Sequence, residues 1–233
     1  MKIKGTTLYL VGGCVRDRIL KKESNDRDFV ALTKLSFTKL CTEINKIGVI
    51  FQAKPKFFTI RCNIENEVVD IAFPRSEKGY DDNRHPTIVR RVKTLRADAQ
   101  RRDFRMNSIY LNEEKGERGY IDYFGGISDI QKKIIRTVGS PIRRFKEDYL
   151  RILRAIRFAC QLNFRIEAVT FVAMKKLASK LQKVEPNRVR KEINKALIAN
   201  PKKAITYINK LKLWPILESM GLHFQLTSKK IKK

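Results

Sequence analysis

The chain has 233 residues, with 51 Lys and Arg against 24 Asp and Glu, a formal charge of +27 at neutral pH. Apolar residues make up 42% and charged residues 32%, which excludes a disordered tail and leaves room for one large or two small packed domains. No stretch nears the roughly 18 uninterrupted apolar residues of a transmembrane helix. A charge this one-sided selects a polyanionic partner, nucleic acid first and a membrane surface second.

Residues 8–11, Leu-Tyr-Leu-Val, predict a short buried strand stopped by Gly12-Gly13, and residues 14–20 suit a helix followed by a polar loop over 21–25. Residues 28–32, 57–60 and 68–73 read as strands. From 74 to 86 the composition turns to Gly, Pro, Asp, Asn and charge, predicting a long loop of the kind that often serves as a lid. Residues 109–111 and 120–123 bracket a loop carrying Gly116 and Gly119, which predicts a hairpin. From Phe145 onward the periodicity is helical, with Pro186, Pro201 and Pro215 breaking successive helices. The layout is an α/β front of about 140 residues and an all-α back. Residues 175–233 hold 16 Lys and Arg against 3 Asp and Glu, more one-sided than an ordinary solvated surface, and favour nucleic-acid contact there. The closing residues 229–233 read as a frayed tail.

Cys14, Cys41, Cys62 and Cys160 form no C-x-x-C pair, and only His85 and His223 accompany them, which argues against a zinc centre. Their scatter suits reduced thiols of an intracellular protein. The N-terminal run over 5–15 is short, holds two glycines and is followed at once by Arg16-Asp17, so no signal sequence is expected. With so few histidines, acid–base or metal chemistry must rest on carboxylates.

Asp26 and Asp28 flank Arg27 at the start of an apolar strand, where residues i and i+2 share one face. Two acids held that close repel unless a cation lies between them, the arrangement Mg²⁺ takes with substrate phosphates. Alone, such a pair is more often a solvated loop-to-strand junction. Gly12-Gly13 lets backbone N–H groups approach phosphate at a helix N-terminus, with Arg16 one turn on; the plain alternative is a tight turn. Residues 98–104, with Asn107 after them, cluster charge beside apolar residues, either against a nucleotide or as a structural ion pair. Residues 147–163 predict one helix on which Asp148, Arg151, Arg154 and Arg157 form a ridge beside Leu150, Leu153, Ile156 and Ala159. That ridge suits base and phosphate recognition, or a solvated face with ion pairs.

Taken in order, five segments resemble class II tRNA nucleotidyltransferases and bacterial poly(A) polymerases over about residues 8–200. They are Val11-Gly12-Gly13-Cys14-Val15-Arg16-Asp17, Asp26-Arg27-Asp28, Arg101-Arg102-Asp103-Phe104-Arg105-Met106-Asn107, Asp122 through Asp129, and Glu147 through Phe158. The resemblance implies a mixed-sheet nucleotidyltransferase head with flanking helices over 1–140, an all-α neck over 141–200 and a short basic body remnant and tail over 201–233. It implies Asp26 and Asp28 as metal ligands that activate an RNA 3′-hydroxyl, with Mg²⁺ as the cofactor. Gly13 and Arg16 would contact the triphosphate. Arg102 and Asp103 would hold triphosphate and ribose, supported by Asn107. Asp148 and Arg151 would template the incoming base, with Arg154 and Arg157 on phosphate. Asp70 is a candidate third carboxylate.

The chain departs from the family pattern at Arg105, where Thr is usual, and at Ile130, where Leu is common. Relatives also continue through further helices that grip tRNA; the basic helices after Lys175 either compensate or leave part of that grip out. Residues 81–86 look like the flexible loop of enzymes that add the terminal A. The expected activity is CCA addition to tRNA from CTP and ATP in the cytoplasm, without a membrane partner. A-only or poly(A) addition is the alternative within the enzymes, and an inactive RNA-binding protein the alternative outside them.

Overall fold

The computed structural model describes residues 1–24, 26–80 and 86–224. They form two compact units, one of residues 1–78 with 86–130 and a second of residues 79–80 with 131–224. In the first unit the chain runs through β1 (Thr6–Val11), α1 (Gly13–Ile19), β2 (Arg27–Thr33), α2 (Phe37–Asn45), β3 (Gly48–Lys54), β4 (Thr59–Ile64) and β5 (Glu67–Ala72). It continues with β6 (Arg75–Lys78), β7 (Ile88–Arg91), α3 (Leu95–Ala99), β8 (Tyr110–Leu111), β9 (Tyr120–Ile121) and α4 (Gly126–Gln131). Seven strands make one mixed sheet in the order β3-β4-β5-β2-β1-β8-β9. Within it β2 and β5 run parallel, while β1 pairs antiparallel with both β2 and β8.

The central position of β2 explains its sequence. Phe29, Val30 and Ala31 are all buried, so apolar residues fill consecutive positions rather than alternate ones. Val11, Val30, Leu95, Ala99 and Tyr110 pack together, seating α3 and β8 against the β1–β2 pair. Helix starts follow their side chains: Ser36 accepts the Lys39 N–H at 3.2 Å before α2, and Thr94 accepts the Ala97 N–H at 3.3 Å before α3.

The second unit contains β10 (Ile134–Ile135), α5 (Pro141–Glu147), α6 (Leu150–Gln161), β11 (Arg165–Ile166), α7 (Ala168–Leu177), α8 (Pro186–Ala199), α9 (Pro201–Lys210) and α10 (Trp214–Ser219). Helix α6 packs against α8 and α9, and α5 against α7. The prolines stand at helix starts, where a missing N–H costs nothing. Among the described residues no helix is long and apolar enough to cross a membrane, and all four cysteines are unpaired.

Three expectations need correction, and two elements were not expected. The strand predicted over 57–60 begins only at Thr59, because Pro55–Phe57 forms a 3-10 turn and Phe58 adopts the left-handed conformation. The segment predicted as loop over 74–86 starts with β6, which pairs antiparallel with β7; residues 81–85, and the tail over 229–233, lie outside the described residues. Helix α2 and strand β3 have no counterpart in the sequence reading. The single helix predicted over 147–163 is two, broken at Asp148, whose backbone is extended and whose Oδ1 accepts the Leu150 N–H at 3.0 Å. An Asp side chain competes for backbone donors in this way, and so starts helices rather than continuing them.

The loop before α4 is tied to the segment that carries Asn107. Asp122 caps α4, its Oδ1 accepting from Gly126 N–H at 2.9 Å and its Oδ2 from Ile127 N–H at 2.9 Å. A Cβ on Gly126 would lie 2.2 Å from the Arg105 carbonyl oxygen, at the start of the 3-10 turn Arg105–Asn107. Backbone meets backbone there. Gly126→Ala is therefore expected to lower the unfolding free energy by about 1–3 kcal/mol, measured by urea denaturation.

Candidate active site

The first cluster forms around the turn between β1 and α1. Gly12 has φ +88°, which glycine adopts without strain, and a Cβ there would point between Asp28 Oδ2, at 3.6 Å, and Arg102 Nη1, at 3.9 Å. The bare Cα thus leaves a gap bordered by a carboxylate and a guanidinium edge. Asp26 and Asp28 are both exposed at the start of β2, while Arg27 between them pairs with Glu67 at 2.6 Å and Glu113 at 2.7 Å. Those ion pairs anchor the strand start and leave the two acids for another partner.

Asp70 stands opposite Asp28 in the parallel β2–β5 register. Partial loss of solvent, then the Asp70 and Asp26 carboxylates, raise the Asp28 pKa from its ordinary value, against the pull of Arg102. Such repulsion is what a hard divalent cation relieves. Two carboxylates also suffice for a cation that takes its other ligands from water and phosphate. Among the described residues no three His, Cys, Asp or Glu side chains gather into a closed metal cage.

Behind the turn runs a buried polar chain. Arg16 donates from Nη1 to Asn107 Oδ1 at 2.9 Å and pairs with Asp17 at 2.8 Å, and Asn107 donates to Asp103 Oδ1 at 3.2 Å. Asp103 Oδ1 also accepts the Phe104 N–H at 2.7 Å. Gly13, Arg16, Asp103 and Asn107 therefore belong to one neighbourhood, with the Arg16 guanidinium turned inward rather than toward solvent.

The other cluster lies in the helical unit. Arg151, Arg154 and Arg157 are half-buried along α6, whereas Asp148 precedes the helix and is not part of its ridge. Arg151 donates to Glu147 at 2.8 Å and to the Arg144 carbonyl at 3.0 Å. From α8, Arg188 reaches Asp148 Oδ2 at 3.4 Å and Glu192 pairs with Arg157 at 2.7 Å. Arg154 and Arg157 both lie over the Phe158 ring, with their guanidinium carbons 5.3 and 4.2 Å from its centroid. Each arginine is held by a named neighbour.

A glycine turn, an acid pair at the start of the next strand and an arginine edge across the gap from it lie together in a mixed-sheet head, followed here by a helical region. Residues 8–136 match the family described as the poly A polymerase head domain, and residues 163–217 that described as the probable RNA and SrmB-binding site of polymerase A. With more than half of its length in the first match, the chain belongs to the poly A polymerase head-domain family. A CCA-adding enzyme of Limosilactobacillus reuteri is 39% identical over 207 residues, covering 84% of this chain and 47% of the relative. That of Staphylococcus epidermidis is 38% identical over 198 residues, with 84% and 47% covered. The Bacillus stearothermophilus CCA-adding enzyme in complex with CTP superposes with a TM-score of 0.77 at 29% identity, over 88% of this chain and 48% of the other. The Thermotoga maritima CCA-adding enzyme complexed with tRNA gives 0.72 at 27%, over 89% and 47%. The chain spans about half the length of the curated relatives it matches.

The sequence reading assigned no role to Tyr110, Glu147, Arg188 or Glu192, and placed Asp98 only within the charged cluster over 98–104, against a nucleotide or as a structural ion pair. Only Asp98 left a signal, three and four residues before Arg101 and Arg102. It is wholly buried and pairs with Arg101 at 2.9 Å and Arg102 at 3.1 Å. Burial pushes its pKa up, but the Arg102 and Arg101 guanidiniums, the Tyr110 hydroxyl and the Arg75 N–H outweigh this and hold the carboxyl well below the usual range. A depressed folded pKa contributes stability above the unfolded value, near pH 4, that is lost as pH falls toward the folded one. Asp98→Asn is thus expected to cost about 3 kcal/mol at pH 7. The gap to wild type should narrow by about 1 kcal/mol between pH 5 and 3, read from urea midpoints.

Proposed function

We propose that this chain is a template-independent RNA nucleotidyltransferase that adds CMP and AMP to the 3′ end of immature tRNA, completing CCA, with Mg²⁺ as metal and CTP and ATP as substrates, in the cytoplasm. The observation that carries the reading is Asp28, with Asp26 two residues before it, across the Gly12 gap from the Arg102 edge. Its similarity to CCA-adding enzymes supports the choice of RNA end, and family membership implies dependence on a divalent metal.

In this reading Asp26 and Asp28 hold the cation and activate the 3′-hydroxyl. The chemistry that cation supplies is neutralisation of the triphosphate and of the attacking oxygen. The 3′-oxygen attacks the α-phosphorus in line, a new P–O bond forms, the bond to the bridging oxygen breaks and pyrophosphate leaves. Gly13, Arg16 and Arg102 bind the triphosphate, and Asp103, steadied by Asn107, holds the ribose. Asp148 and Arg151 read the base, acceptor and donors respectively, while Arg154 and Arg157 serve phosphate.

A-only addition is the second reading, favoured by the poly A polymerase description of the matched head. Transcripts ending before CCA, after C and after CC, each supplied with single nucleotides, separate the two. CCA addition takes CMP on the first two and AMP on the third; AMP alone on all three supports the second reading. Asp26→Ala or Asp28→Ala is expected to lower incorporation at least about 10³-fold while tRNA binding stays within a few-fold. Retained turnover in either variant would remove the metal assignment. For base reading, Asp148→Ala and Arg151→Ala should each shift the kcat/KM ratio of CTP and ATP to UTP and GTP by about one to two orders of magnitude. Arg154→Ala should slow all four alike.

A further inference from the structure

We propose that Asp98 is the positioning residue that aims Arg102 at the nucleotide, a role that rests on the nucleotidyl-transfer reading of the site. A guanidinium carries five N–H donors in one plane, so occupying one edge fixes where the other points. In Arg102 the inner edge is occupied. Its Nε and Nη2 donate to Asp98 Oδ2 at 3.3 and 3.1 Å, and Nε also reaches the Tyr110 hydroxyl at 3.3 Å. The remaining nitrogen, Nη1, is the one that faces the Gly12 gap opposite Asp28.

Asp98 cannot turn. Its Oδ1 accepts from Arg101 Nε at 2.9 Å and from the Arg75 N–H at 3.1 Å, and its Oδ2 accepts the Tyr110 hydroxyl at 2.7 Å. The residue has no solvent exposure, so it touches no substrate and acts only through what it holds. Charge supports the same role. Arg75, Arg101 and Arg102 face two carboxylates, Glu77 and Asp98, so these five groups retain one positive charge. A clamp that spends only the inner edge of Arg102 leaves its outer edge ordered in advance, and ordering before binding strengthens an anion contact.

The test is a double-mutant cycle with a second, turnover-free arm. Asp98→Asn is expected to raise the KM for CTP about tenfold, and Tyr110→Phe a few-fold, with the KM for RNA unchanged. Added to Arg102→Ala, Asp98→Asn should change the KM for CTP less than twofold, because its effect runs through the missing guanidinium. Effects that multiply in the double variant, or a rise in the KM for RNA equal to that for CTP, would overturn the proposal. In ¹⁵N spectra the Arg102 Nε–H, identified by its loss in Arg102→Lys, should be slow to exchange with water in wild type and broadened in Tyr110→Phe. Equal exchange in both would overturn the clamp even if the protein transfers no nucleotide, and inactive wild type with a protected Nε–H would overturn the transfer reading instead. Tyr110→Phe keeps the ring in the core, so it carries the test if Asp98→Asn fails to fold.

Discussion

Carboxylates repel one another, and this chain sets two of them two residues apart at one end of its sheet, with a third across the strand pair. Asp26 and Asp28 occupy the exposed start of β2, and Asp70 stands opposite Asp28 in the parallel register. A folded chain tolerates that only if the neighbouring structure holds the strand start from its other face. Arg27 does so, pairing with Glu67 and Glu113 while the apolar residues that follow are locked in the core. The repulsion shows in the raised Asp28 pKa and falls at an exposed strand start rather than in the core.

The excess of basic residues has a counterpart in how the few acids are used. Asp98 holds Arg101 and Arg102, Glu147 holds Arg144 and Arg151, Glu192 holds Arg157, and Asp17 holds Arg16. Acids are thus spent on fixing particular guanidiniums rather than on balancing the surface lysines, many of which are exposed along α7 and α8. Fixed guanidiniums recognise planar groups; loose lysines attract a polyanion from a distance. This chain carries both kinds of cation.

The parts of this arrangement that depend on local spacing are legible in the sequence. A glycine turn between strand and helix, and two acids at i and i+2, need only neighbouring residues to define them. Strand β3 is a sheet edge: its apolar run Val49-Ile50-Phe51 leaves Val49 and Phe51 exposed, and its last three residues are exposed throughout. Strand β6, Arg-Ser-Glu-Lys, has the composition of a loop and becomes a strand through pairing with β7, ten residues on. The clamp on Arg102 was half visible. Asp98 is one helical turn away, but Tyr110 and Arg75 come from other elements, and pairing at that distance follows only from the packing of α3 and β8 on the central strands.

The break at Asp148 changes what its carboxylate presents. As a member of a continuous helix it would share one ridge with Arg151, and both side chains would lean the same way. The break removes that geometry and supplies another. One oxygen, Oδ1, is committed to the Leu150 N–H and so fixes the carboxylate plane at the start of α6. The second oxygen faces Arg188 at 3.4 Å, near the long limit of a hydrogen bond, which is a contact that a better donor can replace at little cost. A carboxylate held by one oxygen and weakly engaged by the other presents a single directed acceptor. For discrimination between base edges, one acceptor in a fixed plane is more selective than a freely rotating carboxylate, because a mismatched acceptor on the base cannot be avoided by rotation.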